Sequence, residues 1–138
     1  MKYYAVIDTN VFVSALLKEG SAPWQILREA LDGCIIPLLN QDILTEYGEV
    51  LLRAKFGFSK SSIAEIISEL PKRALFIDAK DTRVLFPVPD DAVFYKVVMQ
   101  AKETHDAYLV TGNLKHFPAK PFVVTPREML EIIQNDTP

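Results

Sequence analysis

Asp8 closes one apolar run, YYAVI at residues 3–7, and is followed by Thr9, Asn10 and a second apolar run, VFVSALL. If both runs are core, the carboxylate between them loses hydration, and its position needs a partner or a purpose. Three further oxygen donors stand at comparable places. Glu46 lies in QDILTEYGEVLLRA, Asp91 closes PVPDD ahead of AVFYKVV, and Asn113 closes AYLVTGN. Oxygen ligands delivered to one point by separate segments are how a hard cation such as Mg²⁺ is held. Three carboxylates within about 4–6 Å repel by several kcal/mol at an effective dielectric of roughly 20. Left without a cation, at least one of them takes up a proton.

Each residue also has a plainer use. Asp8 can cap a helix beginning near Val11, but Asn10 is better placed to do so, which leaves the acid in search of another role. Glu46 flanks the apolar stripe of its helix, roughly 100° from the centre, and alone reads as a solvated surface acid. Asp91 follows Pro89 and Asp90 and precedes an apolar helix, as an N-cap does; Asp90 is the fallback. Gly112 permits a tight turn, and Asn113 can cap a short turn at LKHF. Thr9, Asn10 and Thr111 adjoin these positions and are candidates to support the carboxylates. Asp106 precedes its strand, at the opposite edge. His105 and His116 have neither zinc spacing nor a serine or cysteine elbow nearby.

The elements that must position these residues alternate along the chain. YYAVI reads as a buried strand, and VFVSALLK as a helix broken at Gly20. Ser21 caps a second helix, APWQILREALDG, with Pro23 in its first turn and Gly33 as its stop. CIIPLL is the next strand. Asn40 caps a helix over 41–54, in which Ile43, Tyr47, Val50, Leu51 and Ala54 form one apolar stripe. SKSSIAEIISELPK is a helix stopped by Pro71, ALFID a strand, and TRVLFPVPDD a connection. AVFYKVVMQAKE is a helix, AYLVTGN a strand ending in a turn, and FVVTPREMLEIIQ a strand and a terminal helix with Thr125 as cap. This order implies an α/β fold, a three-layer α/β/α sandwich on a parallel sheet of about five strands. In such sheets ligands bind beyond the carboxyl ends of the strands. Asp8, Glu46, Asp91 and Thr111–Asn113 all fall at that edge.

The 138 residues suit one domain, and 49% hydrophobic with 24% charged residues is an ordinary globular composition. A lone Cys34 in an apolar run reads as a small core hydrophobe, with no sign of an oxidising compartment. Asp8 and Asn10 break what otherwise looks like a signal peptide, and no apolar run approaches a membrane span. A cytoplasmic protein is expected. The net charge of −3 speaks against a large non-specific phosphate-binding patch, although clustered acids holding a cation would distort the count.

Taken in order, VIDTNVFVSALL, ILTEYGEVL, PDDAVFYKVVMQA and AYLVTGNLKHF resemble a PIN domain over residues 3–126. More narrowly, they resemble bacterial PIN proteins described as toxin components of toxin–antitoxin pairs. The resemblance implies a metal-dependent ribonuclease in which Asp8, Glu46 and Asp91 are the metal-binding and catalytic acids. The family's common fourth acid is Asn113 here, a weaker ligand, which implies one tight Mg²⁺ or Mn²⁺ and a second bound only with substrate. Thr9, Asn10 and Thr111 would support the ligands from behind. Lys115 and His116, with Lys18, Arg53 and Lys55, are the cations that could meet RNA phosphates, with unpaired RNA the better fit to a narrow cleft. The resemblance also implies a separately encoded antitoxin partner. Exposed apolar side chains on helices such as IAEIISEL could serve a homo-oligomer, although core burial is their plainer use. Two other readings compete. One is a PIN-like module that binds RNA or protein without cutting, which Asn113 favours. The other is acyl-phosphate chemistry, against which VLLRAKFGF offers no acid and DTN no second Asp.

Overall fold

Short runs of branched and aromatic residues pair side by side in the computed structural model, which describes residues 2–77 and 92–136. The strands are β1 (Tyr3–Ile7), β2 (Ile35–Leu39), β3 (Leu75–Phe76), β4 (Ala107–Val110) and β5 (Val123–Val124). All pair parallel, in the order β3-β2-β1-β4-β5. Parallel neighbours need crossovers that return the chain, and of the six α-helices among the described residues five lie in the connections from β1 to β4. The six are α1 (Thr9–Leu17), α2 (Ala22–Asp32), α3 (Gln41–Leu51), α4 (Lys60–Arg73), α5 (Ala92–Ala101) and α6 (Pro126–Asp136). The expected three-layer α/β/α arrangement with five strands is what forms.

A sheet covered on both faces needs nearly continuous apolar strands. Ala5, Val6 and Ile7 of β1, Leu38 and Leu39 of β2, and Leu109 and Val110 of β4 are all buried. Helices add stripes at helical spacing, such as Ile43, Tyr47 and Leu51 of α3 and Phe94, Val97, Val98 and Ala101 of α5. α5 packs across β1, β2 and β4, whereas α2 lies against α1, β2 and α6. Pro37 sits within β2, away from the sheet edge, where a proline would normally remove a ladder bond. Tyr3 donates to the Cys34 carbonyl, so by alternation Pro37 faces β3. That strand begins only opposite Leu38, so no ladder bond is lost.

The strand order creates a crevice. From β1 the chain steps outward to β2 and β3, then returns to the other side of β1 as β4. β1 and β4 therefore diverge from one switch point, the place where open parallel sheets bind ligands. Asp8 follows β1 and Thr111 follows β4, in register, since Ile7 pairs with Val110.

Several elements differ from expectation. α1 starts at Thr9, so Asp8 is the N-cap by position and Asn10 lies inside the first turn, exposed. The idea that Asn10 caps the helix is corrected: the backbone turns at Asp8, with φ −60° and ψ 140°. α3 ends at Leu51, and Ala54 instead opens a 3-10 turn closed by Gly57 at φ +67°. Pro71 does not stop α4, which continues to Arg73, because a missing N–H one turn from the end forfeits a single bond. β4 ends at Val110, and β3 and β5 have only two residues each. The connection TRVLFPVPDD, with Asp90 and Asp91, lies outside the described residues.

Candidate functional site

Asp8 is carried to the sheet edge by β1, and its backbone N–H donates to the Val110 carbonyl at 2.9 Å. The residue is 2% exposed, a severe loss of hydration for a carboxylate. Its Oδ2 accepts the Thr111 hydroxyl at 2.8 Å. Thr111 is held in turn, because its Oγ1 accepts the Asn113 backbone N–H at 2.9 Å. With that lone pair engaged, the hydroxyl proton is aimed at Asp8. The carboxylate makes no helix-cap hydrogen bond, yet the N–H groups of Asn10 and Thr9 lie near enough to influence its titration.

Burial is the largest influence on Asp8 and raises its pKa above the ordinary range. The Thr111 hydroxyl, the Asn10 N–H, the charge of His116 and the Thr9 N–H pull the other way without prevailing. The His116 imidazole is thus within electrostatic reach of Asp8. An acid kept uncomfortable in its ionised form is a mark of functional sites.

Glu46 comes from α3, which begins immediately after β2. Asn40 ends that strand and caps the helix, its Oδ1 accepting the Ile43 N–H at 2.8 Å. Six residues in, Glu46 is half-buried, and its Oε2 accepts the Thr9 hydroxyl. Thr9 and Thr111 therefore bind one carboxylate each, from the two strand ends that border the crevice.

The structure brings Asp8, Glu46, Thr9 and Thr111 together through hydrogen bonds and His116 through its charge. Asn113 joins by its backbone N–H, while its side chain is exposed and makes no cap bond in the turn it opens. Asn10 is exposed on α1, and Lys115 is exposed in the turn after β4. Lys18 follows α1, whose nine residues put about 13 Å of helix between it and Asp8. Arg53 and Lys55 follow the end of α3. His105 is engaged elsewhere, its ring 4.3 Å from that of Tyr4. Asp91 directly precedes α5 in sequence but lies outside the described residues.

One participant escapes the sequence reading. Tyr47 looks there like one more position of the α3 stripe, yet its hydroxyl donates to the carbonyl of Ile7. Burial, then the charges of Asp8 and Glu46, push its phenol far up, which places both acids within its surroundings. No sequence signal separates it from the other positions of that stripe.

The donor set suits a hard divalent cation. Mg²⁺ is commonly bound through one or two carboxylates, with waters and substrate phosphates completing its shell. Asp8 and Glu46 supply two carboxylates. Among the described residues no group of three or more His, Cys, Asp and Glu side chains forms a metal site; Asp91, the third acid expected from the sequence, lies outside them. Also among the described residues, no helix is long and apolar enough to cross a membrane.

A family model described as PIN domain matches residues 4–115. The chain is also similar to the uncharacterized protein MJ1680 of Methanocaldococcus jannaschii, at 28% identity over 116 residues. That match covers 82% of this chain and 72% of the relative.

Proposed function

Because the chain belongs to the PIN domain family, whose members are generally nucleases, we propose that it is a metal-dependent ribonuclease hydrolysing phosphodiester bonds of unpaired RNA. The observation that carries this reading is a buried carboxylate, Asp8, at the β1–β4 crevice, with Glu46 tied to the adjacent Thr9. Asp8 and Glu46 would hold Mg²⁺ or Mn²⁺, with Asp91 as third carboxylate and Asn113 as a weaker amide ligand. When bound, such a cation lowers the pKa of a coordinated water and neutralises charge on the attacked phosphate.

The chain's own residues do the rest. Thr111 and Thr9 orient the two carboxylates, which reduces the reorganisation needed when a ligand arrives. Glu46, set back on α3, orients the attacking water. Lys115 and His116, in the turn after β4, meet the substrate phosphates. Asn10 is exposed in the first turn of α1. Following the resemblance to toxin components, the activity would be restrained by a separately encoded antitoxin. Growth arrest by the parent, and none by Asp8→Asn, is the expected result of expression in a bacterial host.

Cleavage of mixed unpaired RNAs with and without Mn²⁺ tests the reading. Asp8→Asn, Glu46→Gln and Asp91→Asn should each lower metal-dependent cleavage at least about a hundredfold, the scale of losing one transition-state charge partner. If Asp91 is only a cap, Asp91→Asn leaves stability and activity nearly unchanged, and Asp91→Ala costs about 1 kcal/mol of stability while sparing activity. Parental rates in all three variants would overturn the assignment. The competing reading, a binding module that does not cut, draws on Asn113 and predicts no Mn²⁺-dependent stabilisation.

A further inference from the structure

The peptide group between Ile7 and Asp8 is pinned from both sides. Its N–H donates to Val110 on β4 at 2.9 Å, and its C=O accepts the Tyr47 hydroxyl from α3. This arrangement follows from where the ladder stops. The β1–β2 pairing reaches Ala5 against Pro37, and Asn40 then turns the chain into α3. Beyond that point the Ile7 carbonyl, which faces the β2 side by strand alternation, takes its hydrogen bond from a side chain of the helix.

Tyr47 is unusual in its setting. It is 1% exposed and stands first by volume among the fully buried side chains of the described residues. A phenylalanine would fill the space with no polar atom to satisfy, so packing alone gives no reason for the hydroxyl. The ring does have a packing role: it meets Phe12 of α1 edge-on, with centroids 4.8 Å apart and planes at 80°. The hydroxyl is an addition to that role.

α3 is therefore joined to the β1–α1 corner twice, by bonds that flank Asp8 in sequence. Ile7 accepts from Tyr47, and Thr9 donates to Glu46. These two joints respond differently to a ligand. A cation on Glu46 competes with the Thr9 hydroxyl for the same carboxylate, whereas the Tyr47 bond uses neither carboxylate and persists.

We propose that Tyr47 is a positioning residue of the candidate metal centre: by tying α3 to the peptide group in front of Asp8, its hydroxyl fixes the separation of the Asp8 and Glu46 carboxylates and so sets the affinity for the cation. The inference rests on the metal reading of the site given above. It differs from a stability role, because it ties one hydroxyl to ligand geometry.

Mn²⁺ titration of the full chain, followed by the spin-resonance signal of the free ion, tests it. Tyr47→Phe keeps the ring against Phe12 and removes only the hydroxyl, and its fold is checked by circular dichroism. Leu70→Ala, at a buried α4 position outside the site, serves as a control destabilised at least as much. The expected result is a dissociation constant about ten- to a hundredfold higher in Tyr47→Phe, the usual range for losing a residue that orients a metal ligand. Leu70→Ala should remain within about twofold of the parent, as expected for sites that share no partners. Parental affinity in Tyr47→Phe, or an equal loss in both variants, would overturn the inference while leaving the metal reading intact. A parent that binds no Mn²⁺ would remove the metal reading, and this inference with it.

Discussion

Asp8 and Thr111 form a pair in which burial disfavours the ionised acid and the Thr111 hydroxyl favours it. Because burial raises the folded-state pKa of Asp8, the native state binds this proton more tightly than the unfolded chain. Its contribution to stability is full below the unfolded pKa and is lost as pH rises through the folded one. In metal-free protein, Asp8→Asn should therefore be more stable than the parent at pH 7, with the advantage shrinking on acidification through the Asp8 range. Thr111→Val should do the opposite. It removes a donor from a buried carboxylate, a bond worth about 1.5–3 kcal/mol when one partner is charged. That deficit should be largest at neutral pH and shrink once Asp8 is protonated. Urea denaturation in chelator at several pH values reads both effects, and identical pH profiles in parent and variants would refute the account.

At the scale of elements, α3 carries both Glu46 and Tyr47, and its entry is set by Asn40. That side chain accepts from Ile43 at 2.8 Å where β2 becomes helix without a loop. Asn40→Ala should lower stability by about 1 kcal/mol, and Asn40→Asp should retain most of it; the shift in urea midpoint measures this. Caps of this kind are local, which is why Ser21, Asn40 and the left-handed Gly33 were legible in sequence. Placing the start of α1 required more. Asn10 is the better placed of the two for a helix that starts near Val11, yet the backbone turns at Asp8 without a side-chain cap bond. Pro71 was over-read for a related reason, since its cost depends on distance from the helix end. The strand-end residues Asp8 and Thr111 could be found from apolar runs that stop. Tyr47 could not, because its carbonyl partner lies 40 residues away, and nothing in the stripe distinguishes a satisfied hydroxyl from a ring that only packs.

For the whole molecule, the crossing from β3 back to β4 turns local placements into a site. Strand order brings residues 8 and 111 within hydrogen-bond range although 103 positions separate them. The net charge of −3 makes general attraction to a polyanion weak, so the proposed RNA substrate would have to be recognised locally, and the acids at the crevice need their own compensation. On the proposed reading, a cation that binds the folded chain and not the unfolded one would supply it, with the gain distributed over the cooperative fold. At a Mn²⁺ concentration 100 times the dissociation constant the gain is about 2.7 kcal/mol. In a domain of this size that corresponds to a rise in melting temperature of roughly 8–12 °C. Chelator should reverse it. Asp8→Asn should begin higher without metal and gain almost nothing from Mn²⁺, so that the two melting curves cross as metal is added. Parallel curves for parent and variant would mean that Mn²⁺ binds elsewhere, and the crevice would then be a structural junction alone.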